Sequence, residues 1–235
     1  MKKTHRIKAS GFLAFLAILL FFASPSLCQT PEKVFAPYVD VLLYPTFSIN
    51  DAFDQTGQPY FTLAFITADT DCKPAWGGVI ALEDNYYLNA INALRQKGGD
   101  VIISFGGANG TELAMCHSDV DALQAAYQSV IDRYQVTWVD FDIEGWAVAD
   151  RPSIDLRNKA IRGLQAANPE LTVAFCLPVL PSGLTHDGLY VLENARTNGV
   201  RVDVVNVMAM DYGDWAAPNP EGNMGQYAIN AAVNT

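Results

Sequence analysis

The segment Trp138-Val139-Asp140-Phe141-Asp142-Ile143-Glu144-Gly145 sets three carboxylates into an apolar run. Side chains along a β-strand alternate between two faces, so the acids at 140, 142 and 144 project to one side and Phe141 and Ile143 to the other. Neighbouring carboxylates repel one another and lose hydration when buried, unless they share protons and hydrogen bonds. Because stability alone does not select such a row, it predicts a functional site at the carboxyl end of a strand.

Two other interpretations of the acidic row are an edge strand with a solvated face and a cation site. Calcium loops place their acids in Gly-rich turns, whereas these acids lie between Val, Phe and Ile. The chain has three histidines, and none has a second metal-type ligand at helical or ribbon spacing. We therefore expect no metal ion.

Short β-branched and aromatic runs alternate with amphipathic segments along the chain. The predicted strands are Tyr38–Tyr44, Tyr60–Ile66, Asp100–Phe105, Thr137–Ile143, Leu171–Leu177 and Val202–Met208. The clearest predicted helices are Asn85–Lys97, Asp119–Tyr134 and Pro152–Ala167. Without hairpin signals, this βα repeat predicts a parallel sheet in a doubly wound fold or a (β/α)8 barrel. In a barrel the acids face the lumen, with Glu144 at the carboxyl end where active sites lie.

Composition restricts the class of protein. Of 235 residues, 50% are hydrophobic and 17% charged, which is enough to build the core of one domain, or of two small ones at most. The net charge of −10 argues against nucleic-acid binding, because phosphate affinity depends on clustered Lys and Arg.

The amino-terminal segment 1–28 has the layout of a secretory signal peptide. Four basic residues within the first eight positions precede the uncharged run Gly11–Ala23, and cleavage before Gln29 is expected. The run is shorter than the about 20 apolar residues of a membrane span, which disfavours the alternative of an anchor. The sequence therefore predicts a secreted, extracellular protein that leaves the membrane after cleavage.

Secretion changes how the cysteines are interpreted. Cys72 and Cys116 lie in polar loop segments, and we expect them to form a disulfide bond in an oxidising compartment, the alternative being two unpaired loop thiols. Cys176 lies inside the apolar run Leu171–Leu177 and is expected to be a buried, inert thiol.

At these motifs the sequence resembles the chitinases of glycoside hydrolase family 18, whose hallmark is an Asp-x-Asp-x-Glu strand, the fourth of a (β/α)8 barrel. The segment Ser104–Gly107 looks like the family's Ser-x-Gly-Gly, and Met208–Tyr212 looks like its Met-x-Tyr-Asp. The resemblance runs from about Val34 to Asn230, and Leu177–Pro181 is similar to bacterial secreted members. It implies that residues 29–235 are a family 18 catalytic domain.

The sequence departs from the family pattern in two places. Thr137 and Trp138 stand where the fuller motif has Asp-Gly, so one outer carboxylate is absent. Met210 stands where the family has Tyr, and Tyr212 follows Asp211 instead. Strict alternation would place residues 208, 210 and 212 on one face, which predicts that the Tyr212 hydroxyl reaches the lumen.

The resemblance implies hydrolysis of β-1,4 bonds between N-acetylglucosamine units by substrate-assisted retaining catalysis, with endo action favoured. Glu144 would be the general acid and later the base. Asp142 would orient the acetamido group and stabilise the oxazolinium ion, and Asp140 would share a proton with Asp142. Tyr212 would donate a hydrogen bond to the acetamido carbonyl. The mechanism implied by the resemblance requires no cofactor.

The partner implied by the resemblance is chitin or an N-acetylglucosamine-containing oligosaccharide. Candidate substrate-binding residues are Ser104, Gly106, Trp146, Met210, Asp211 and Trp215. Trp76 is a further indole that could stack on a pyranose ring. The alternative, that Trp residues pack beneath loops, is evenly balanced for Trp76.

Length is the main difficulty for the enzyme interpretation. A complete (β/α)8 barrel has about 250 residues, and only about six βα units are visible here, so we expect a domain that is incomplete at the carboxyl end. Bare first and sixth strands would favour association, whereas a complete domain would be monomeric. The alternatives are a non-catalytic chitin- or glycan-binding relative, an inactive truncated fragment and an endo-β-N-acetylglucosaminidase.

Overall fold

A computed structural model describes residues 34–235, so the predicted signal peptide 1–28 lies outside the described residues. The strands are β1 (Tyr38–Asp40), β2 (Tyr60–Ala68), β3 (Pro74–Trp76), β4 (Ile80–Ala81), β5 (Asp100–Gly106), β6 (Trp138–Asp142), β7 (Thr172–Leu180), β8 (Gly183–Leu184) and β9 (Val204–Met208). The helices are α1 (Ile49–Thr56), α2 (Leu88–Gln96), α3 (Leu113–Cys116), α4 (Val120–Tyr134), α5 (Arg151–Ala167), α6 (His186–Thr197) and α7 (Met224–Val233).

A parallel sheet in the order β1-β2-β5-β6-β7-β9 forms the centre of the fold. These strands correspond to the six predicted runs, with ends that differ by a few residues. Each strand pairs with the next parallel strand along the chain, which is the order of a (β/α)8 barrel rather than a doubly wound sheet. Within residues 34–235 the sheet does not close, since β1 and β9 are its open parallel edges, and the molecule is a partial barrel.

Antiparallel pairing follows β2, where the sequence predicted no hairpin. The chain turns back after Ala68, so that β3 pairs with the end of β2 and β4 pairs with β3. This turn buries Trp76 completely, and its indole Nε1 donates a hydrogen bond of 2.7 Å to the Tyr134 hydroxyl of α4. The prediction that Trp76 could stack on a sugar is wrong, because the hairpin packs the indole against α4.

The helices agree with the sequence where capping signals are strong. Helices α4 and α5 begin within one residue of their predicted starts, and the side chains of Asp119 and Asp150 accept hydrogen bonds from backbone N–H groups of their first turns. Helix α2 begins three residues later than predicted, because Leu82–Asp84 form a 3₁₀ turn that ends at Asn85 in the left-handed region. Helices α1, α6 and α7 were not among the clear predictions.

The face of the sheet opposite the acids packs against the helices through an aromatic stack. Phe141 of β6 lies between Phe105 and Phe175 of the adjacent strands, with ring centroids 5.3 and 5.8 Å apart. Tyr127 of α4 covers Phe105 and Phe141 edge-on at 5.0 and 5.2 Å. Burial of these rings stabilises β6 in spite of its carboxylates.

A buried ion pair joins the segment after β5 to the outer helices. Arg157 of α5 donates to both carboxylate oxygens of Glu112, at 3.2 and 2.7 Å. The Tyr127 hydroxyl donates to the same carboxylate at 3.0 Å, and so does the backbone N–H of Ala114. Both charged side chains are almost fully removed from water, so each depends on the other.

A disulfide bond connects Cys72, in the loop after β2, to Cys116 at the end of α3, with Cα atoms 5.7 Å apart. The predicted pairing is confirmed. Cys176 is a free, buried thiol, as predicted for its apolar run. No helix between residues 34 and 235 has both the length and the apolar character that crossing a bilayer requires.

Removing the disulfide is expected to destabilise the fold by about 4 kcal/mol, the loop-closure entropy for a sequence separation of 44 residues. The measurement is urea unfolding of Cys72→Ser/Cys116→Ser against the oxidised parent. Cys176→Ser retains the bridge and is the matched control. An unchanged unfolding midpoint in the double variant would contradict this expectation.

Candidate active site

Asp140 lies deepest in the acidic row and is fixed by two hydroxyl donors. Ser104 Oγ of β5 and Tyr38 Oη of β1 donate to its Oδ2 at 2.6 and 2.9 Å. Burial raises the pKa of Asp140 to about 6, and the hydrogen bonds from Ser104 and Tyr38 oppose that rise. Asp140 is therefore largely ionised at neutral pH.

Asp142 lies at the carboxyl end of β6 and is 6% exposed. Burial, together with the neighbouring charges of Glu144 and Asp140, raises its pKa from the ordinary value of 3.8 to about 8. Among the residues that the structure describes, its Oδ1 has no hydrogen-bond partner. The site thus holds a proton on its middle acid at neutral pH and leaves one oxygen unpaired.

Glu144 follows β6 by two residues, at a turn in which Gly145 adopts φ +57°. It is half-buried and lines the same cavity as Asp142. The cavity has a volume of about 900 Å³ and opens at the carboxyl ends of the parallel strands. The structure thus brings Asp142 and Glu144 together at one cavity and places Asp140 one step deeper.

The segment after β9 reaches this cavity by a route that strand alternation does not describe. The strand ends at Met208, and two tight turns follow, in which Ala209 N–H and Met210 N–H bond to carbonyls two residues earlier. Asp211 then adopts φ +51°. Because the chain folds back here, Met208, Met210, Asp211 and Tyr212 all line the cavity.

Tyr212 is buried, and its hydroxyl has no hydrogen-bond partner within the described chain. The residue lines the cavity, although the extended alternation expected for positions 208 to 212 is wrong. That its hydroxyl points into the lumen stays a prediction. Two residues that line the cavity thus each have a buried polar atom without a partner in the described chain, the Tyr212 hydroxyl and Asp142 Oδ1.

The glycines after β5 allow its backbone to lie close to β6. Gly106 has φ +100°, and a Cβ added there would lie 2.1 Å from the carbonyl oxygen of Asp142. Gly107 donates its N–H to that oxygen at 3.0 Å. Ser104 and Gly106 thus support the acids and do not belong to the cavity wall formed by the described residues.

The predicted sugar-stacking indoles lie in solvent. Trp146 is 87% exposed and Trp215 is 76% exposed, and neither is among the residues of chain 34–235 that line the cavity. Stacking of these two side chains on a sugar stays a prediction.

Known proteins resemble this chain over most of its length. No protein-family model matches it. It is 37% identical over 214 residues to a probable bifunctional chitinase/lysozyme of Escherichia coli K12, covering 87% of this chain and 24% of that protein. The catalytic domain of a hyperthermophilic chitinase from Pyrococcus furiosus superimposes with a TM-score of 0.76 at 39% identity, covering 87% of this chain and 64% of that one. This chain is a homologue of chitinases and has the fold of glycoside hydrolase family 18.

Two further chitinases are similar to this chain. Endochitinase 11 of Metarhizium anisopliae is 38% identical over 191 residues, which cover 78% of this chain and 36% of that protein. A family 18 chitinase from Pseudoalteromonas aurantia has the same fold, with a TM-score of 0.59 at 21% identity over 84% of this chain and 74% of that one. The chain thus spans about a quarter to a third of the curated relatives it matches.

Sequence reasoning missed several cavity residues, among them one from each of three strands. Tyr38 of β1, Cys176 of β7 and Asn206 of β9 line the cavity. Cys176 lies directly opposite Asp142 in the β6–β7 ladder, and Asn206 directly opposite Cys176 in the β7–β9 ladder. Aligning the predicted parallel strands in register with the acidic strand would have found the last two.

No group of three or more His, Cys, Asp or Glu side chains between residues 34 and 235 is arranged to hold a metal ion.

Gly106→Ala is expected to lower the free energy of unfolding by more than about 3 kcal/mol. The new Cβ would clash with the Asp142 carbonyl oxygen, and alanine would be strained at the positive φ of this position. Gly98→Ala is the matched control, since Gly98 has φ +88° but nothing within 4 Å of the added atom, and it should cost only about 1 kcal/mol. Denaturant unfolding of both variants tests this expectation, and equal losses would contradict it.

Proposed function

We propose that this chain contains the acid centre of a secreted chitinase, which hydrolyses β-1,4 bonds between N-acetylglucosamine units with the substrate's acetamido oxygen as the nucleophile. The observation that carries the proposal is the pair Asp142 and Glu144, which face one cavity, with the proton-holding acid one step below the outer acid. The homologous proteins named as chitinases support this choice of substrate.

Glu144 supplies the proton for the leaving oxygen. Its position beyond the end of β6, half-buried at the cavity wall, lets it reach a glycosidic oxygen while staying partly screened from water. Once the leaving sugar departs, the resulting carboxylate accepts a proton from the attacking water.

Asp142 and Tyr212 hold the acetamido group. Protonated Asp142 can donate to or accept from the amide, and its ionised form stabilises the positive oxazolinium intermediate. The Tyr212 hydroxyl is free to donate to the acetamido carbonyl oxygen. A bound N-acetyl group would thus provide partners for both unpaired groups, whose burial otherwise costs free energy.

Asp140 acts from below as a fixed negative charge. Its two hydroxyl donors occupy Oδ2 and keep it ionised when Asp142 is protonated. The negative charge of Asp140 therefore favours a proton on Asp142 or Glu144, where the reaction uses it.

Secretion forms part of the proposal. The basic and apolar segments at the amino terminus support it, and so does the disulfide bond, which is typical of oxidising compartments. The open edges at β1 and β9 support the expectation that the chain associates when it is produced alone.

Glu144→Gln is expected to lower kcat on chitooligosaccharides by about a thousandfold, because the amide cannot transfer a proton. Oligosaccharide affinity, measured by calorimetry, should persist. Turnover unaffected by the substitution would refute the assignment of Glu144. Binding by the parent chain without any turnover would favour a non-catalytic glycan-binding relative, and insoluble or non-cooperatively unfolding protein would favour an inactive fragment.

Turnover is expected to fall as the pH rises through about 8, because the pair Asp142 and Glu144 then loses the proton that the reaction needs. The pH dependence of kcat on chitooligosaccharides measures this.

The same titration affects the stability of the fold. The pKa of Asp142 is higher in the folded chain than its ordinary value of 3.8, so the folded state binds the extra proton and stability declines between about pH 4 and pH 8. Asp142→Asn should lower turnover and make that decline shallower, leaving the part that Asp140 contributes. An equally steep loss of stability in the variant would contradict the assignment of this proton to Asp142.

A further inference from the structure

We propose that Asn206 of β9 is a positioning residue, which orients the Tyr38 hydroxyl toward Asp140 and the Cys176 thiol toward Asp142. The inference rests on the proposed function insofar as the two acids do the chemistry. The contacts themselves are independent of the substrate. Asn206 belongs to none of the motifs by which the family resemblance was drawn.

The carboxamide of Asn206 lies between two groups from different strands. Its Nδ2 is 3.0 Å from Tyr38 Oη of β1 and 3.6 Å from Cys176 Sγ of β7. An amide nitrogen has two hydrogens, so one can serve each partner. Asn206 therefore bridges β1 and β9, the two open edges of the sheet, across the floor of the cavity.

The bonding capacity of Tyr38 sets the direction of the first arm. Its hydroxyl has a single hydrogen, which it donates to Asp140 Oδ2 at 2.9 Å. The oxygen can then only accept in its bond to Asn206. The amide N–H thus holds the hydroxyl in the rotamer that points its hydrogen at the carboxylate.

Cys176 forms the second arm. It is opposite Asp142 on one side of β7 and opposite Asn206 on the other, and all three residues line the cavity. When the sulfur accepts from Asn206, its S–H is free to donate to Asp142. The electrostatics agree with this direction, because burial raises the pKa of Asp142 whereas the Cys176 thiol lowers it.

Few groups face the acids, so a change at Asn206 should produce a detectable shift in their titration. The titratable ones are Tyr38 and Asp40 from β1, Asp140, Asp142 and Glu144 from β6 and the turn after it, Cys176 from β7, and Asp211 and Tyr212 after β9. Strands β5 and β9 contribute the neutral side chains Ser104 and Asn206. None of these side chains is a cation.

The test compares Asn206→Leu, which has similar volume and no donor, with Cys176→Ala, which removes only the thiol arm. Asn206→Leu should lower kcat about tenfold, the cost of one lost hydrogen bond, and change KM less than about twofold. Because Asp140 then loses a fixed donor, the acid limb of the kcat profile should move to higher pH. Cys176→Ala should instead move the alkaline limb of the kcat–pH profile, since Asp142 then loses the thiol that donates to it.

A second readout does not need turnover. A higher pKa of Asp140 in the folded chain makes stability fall more steeply as the pH rises from 5 to 8, so urea unfolding of Asn206→Leu should show a steeper decline than the parent. Asn219→Leu, at an exposed position in the loop after β9, is the matched control for the exchange of side chain and should follow the parent.

The two proposals fail in different ways. A parent without turnover whose Asn206→Leu variant still shows the steeper decline contradicts the proposed function and supports the positioning role. The positioning role is overturned if the limbs of the kcat–pH profile of Asn206→Leu do not shift and its stability changes with pH in parallel with the parent. This holds even if the variant is less stable by the same amount at every pH.

Discussion

The burial of several carboxyl groups on one strand is the constraint that organises this molecule. Asp140 and Asp142 are both nearly removed from water, yet only Asp140 receives strong donors, from Ser104 and Tyr38. Burial and charge repulsion therefore oblige Asp142 to keep a proton that a solvated aspartic acid would lose. The cost is offset on the opposite face, where Phe105, Phe141 and Phe175 pack against Tyr127. One strand thus serves both as the centre of the core and as the source of the chemistry.

Local patterns in the sequence were sufficient for the parallel sheet and for the side on which the acids lie. Runs of β-branched residues predicted six strands, because a buried parallel strand needs apolar side chains on both faces. Side-chain alternation predicted the common face of the acids, since β6 is regular up to Asp142. Capping residues such as Asp119 and Asp150 marked the helix starts within one residue. These features depend on neighbours in sequence.

The features that sequence reasoning missed depend on contacts between distant residues. The β3–β4 hairpin turns at Gly77-Gly78, a local signal that the sequence reasoning overlooked, but its place in the fold depends on pairing with the end of β2 and on the contact of Trp76 with Tyr134. Alternation after Met208 fails because Asp211 takes a left-handed conformation. Asn206 carries no distinctive local pattern, and only the register of β7 and β9 places it at the site.

The buried pair of Glu112 and Arg157 has an evolutionary consequence. Either residue alone would leave an isolated charge in an apolar layer, a state that proteins tolerate poorly. Substitutions at the two positions must therefore arise together or pass through a weakened intermediate, and drift at one site is restrained by the other. The segment after β5 and helix α5 are in this sense inherited as one unit, although 45 positions separate the two side chains along the polypeptide.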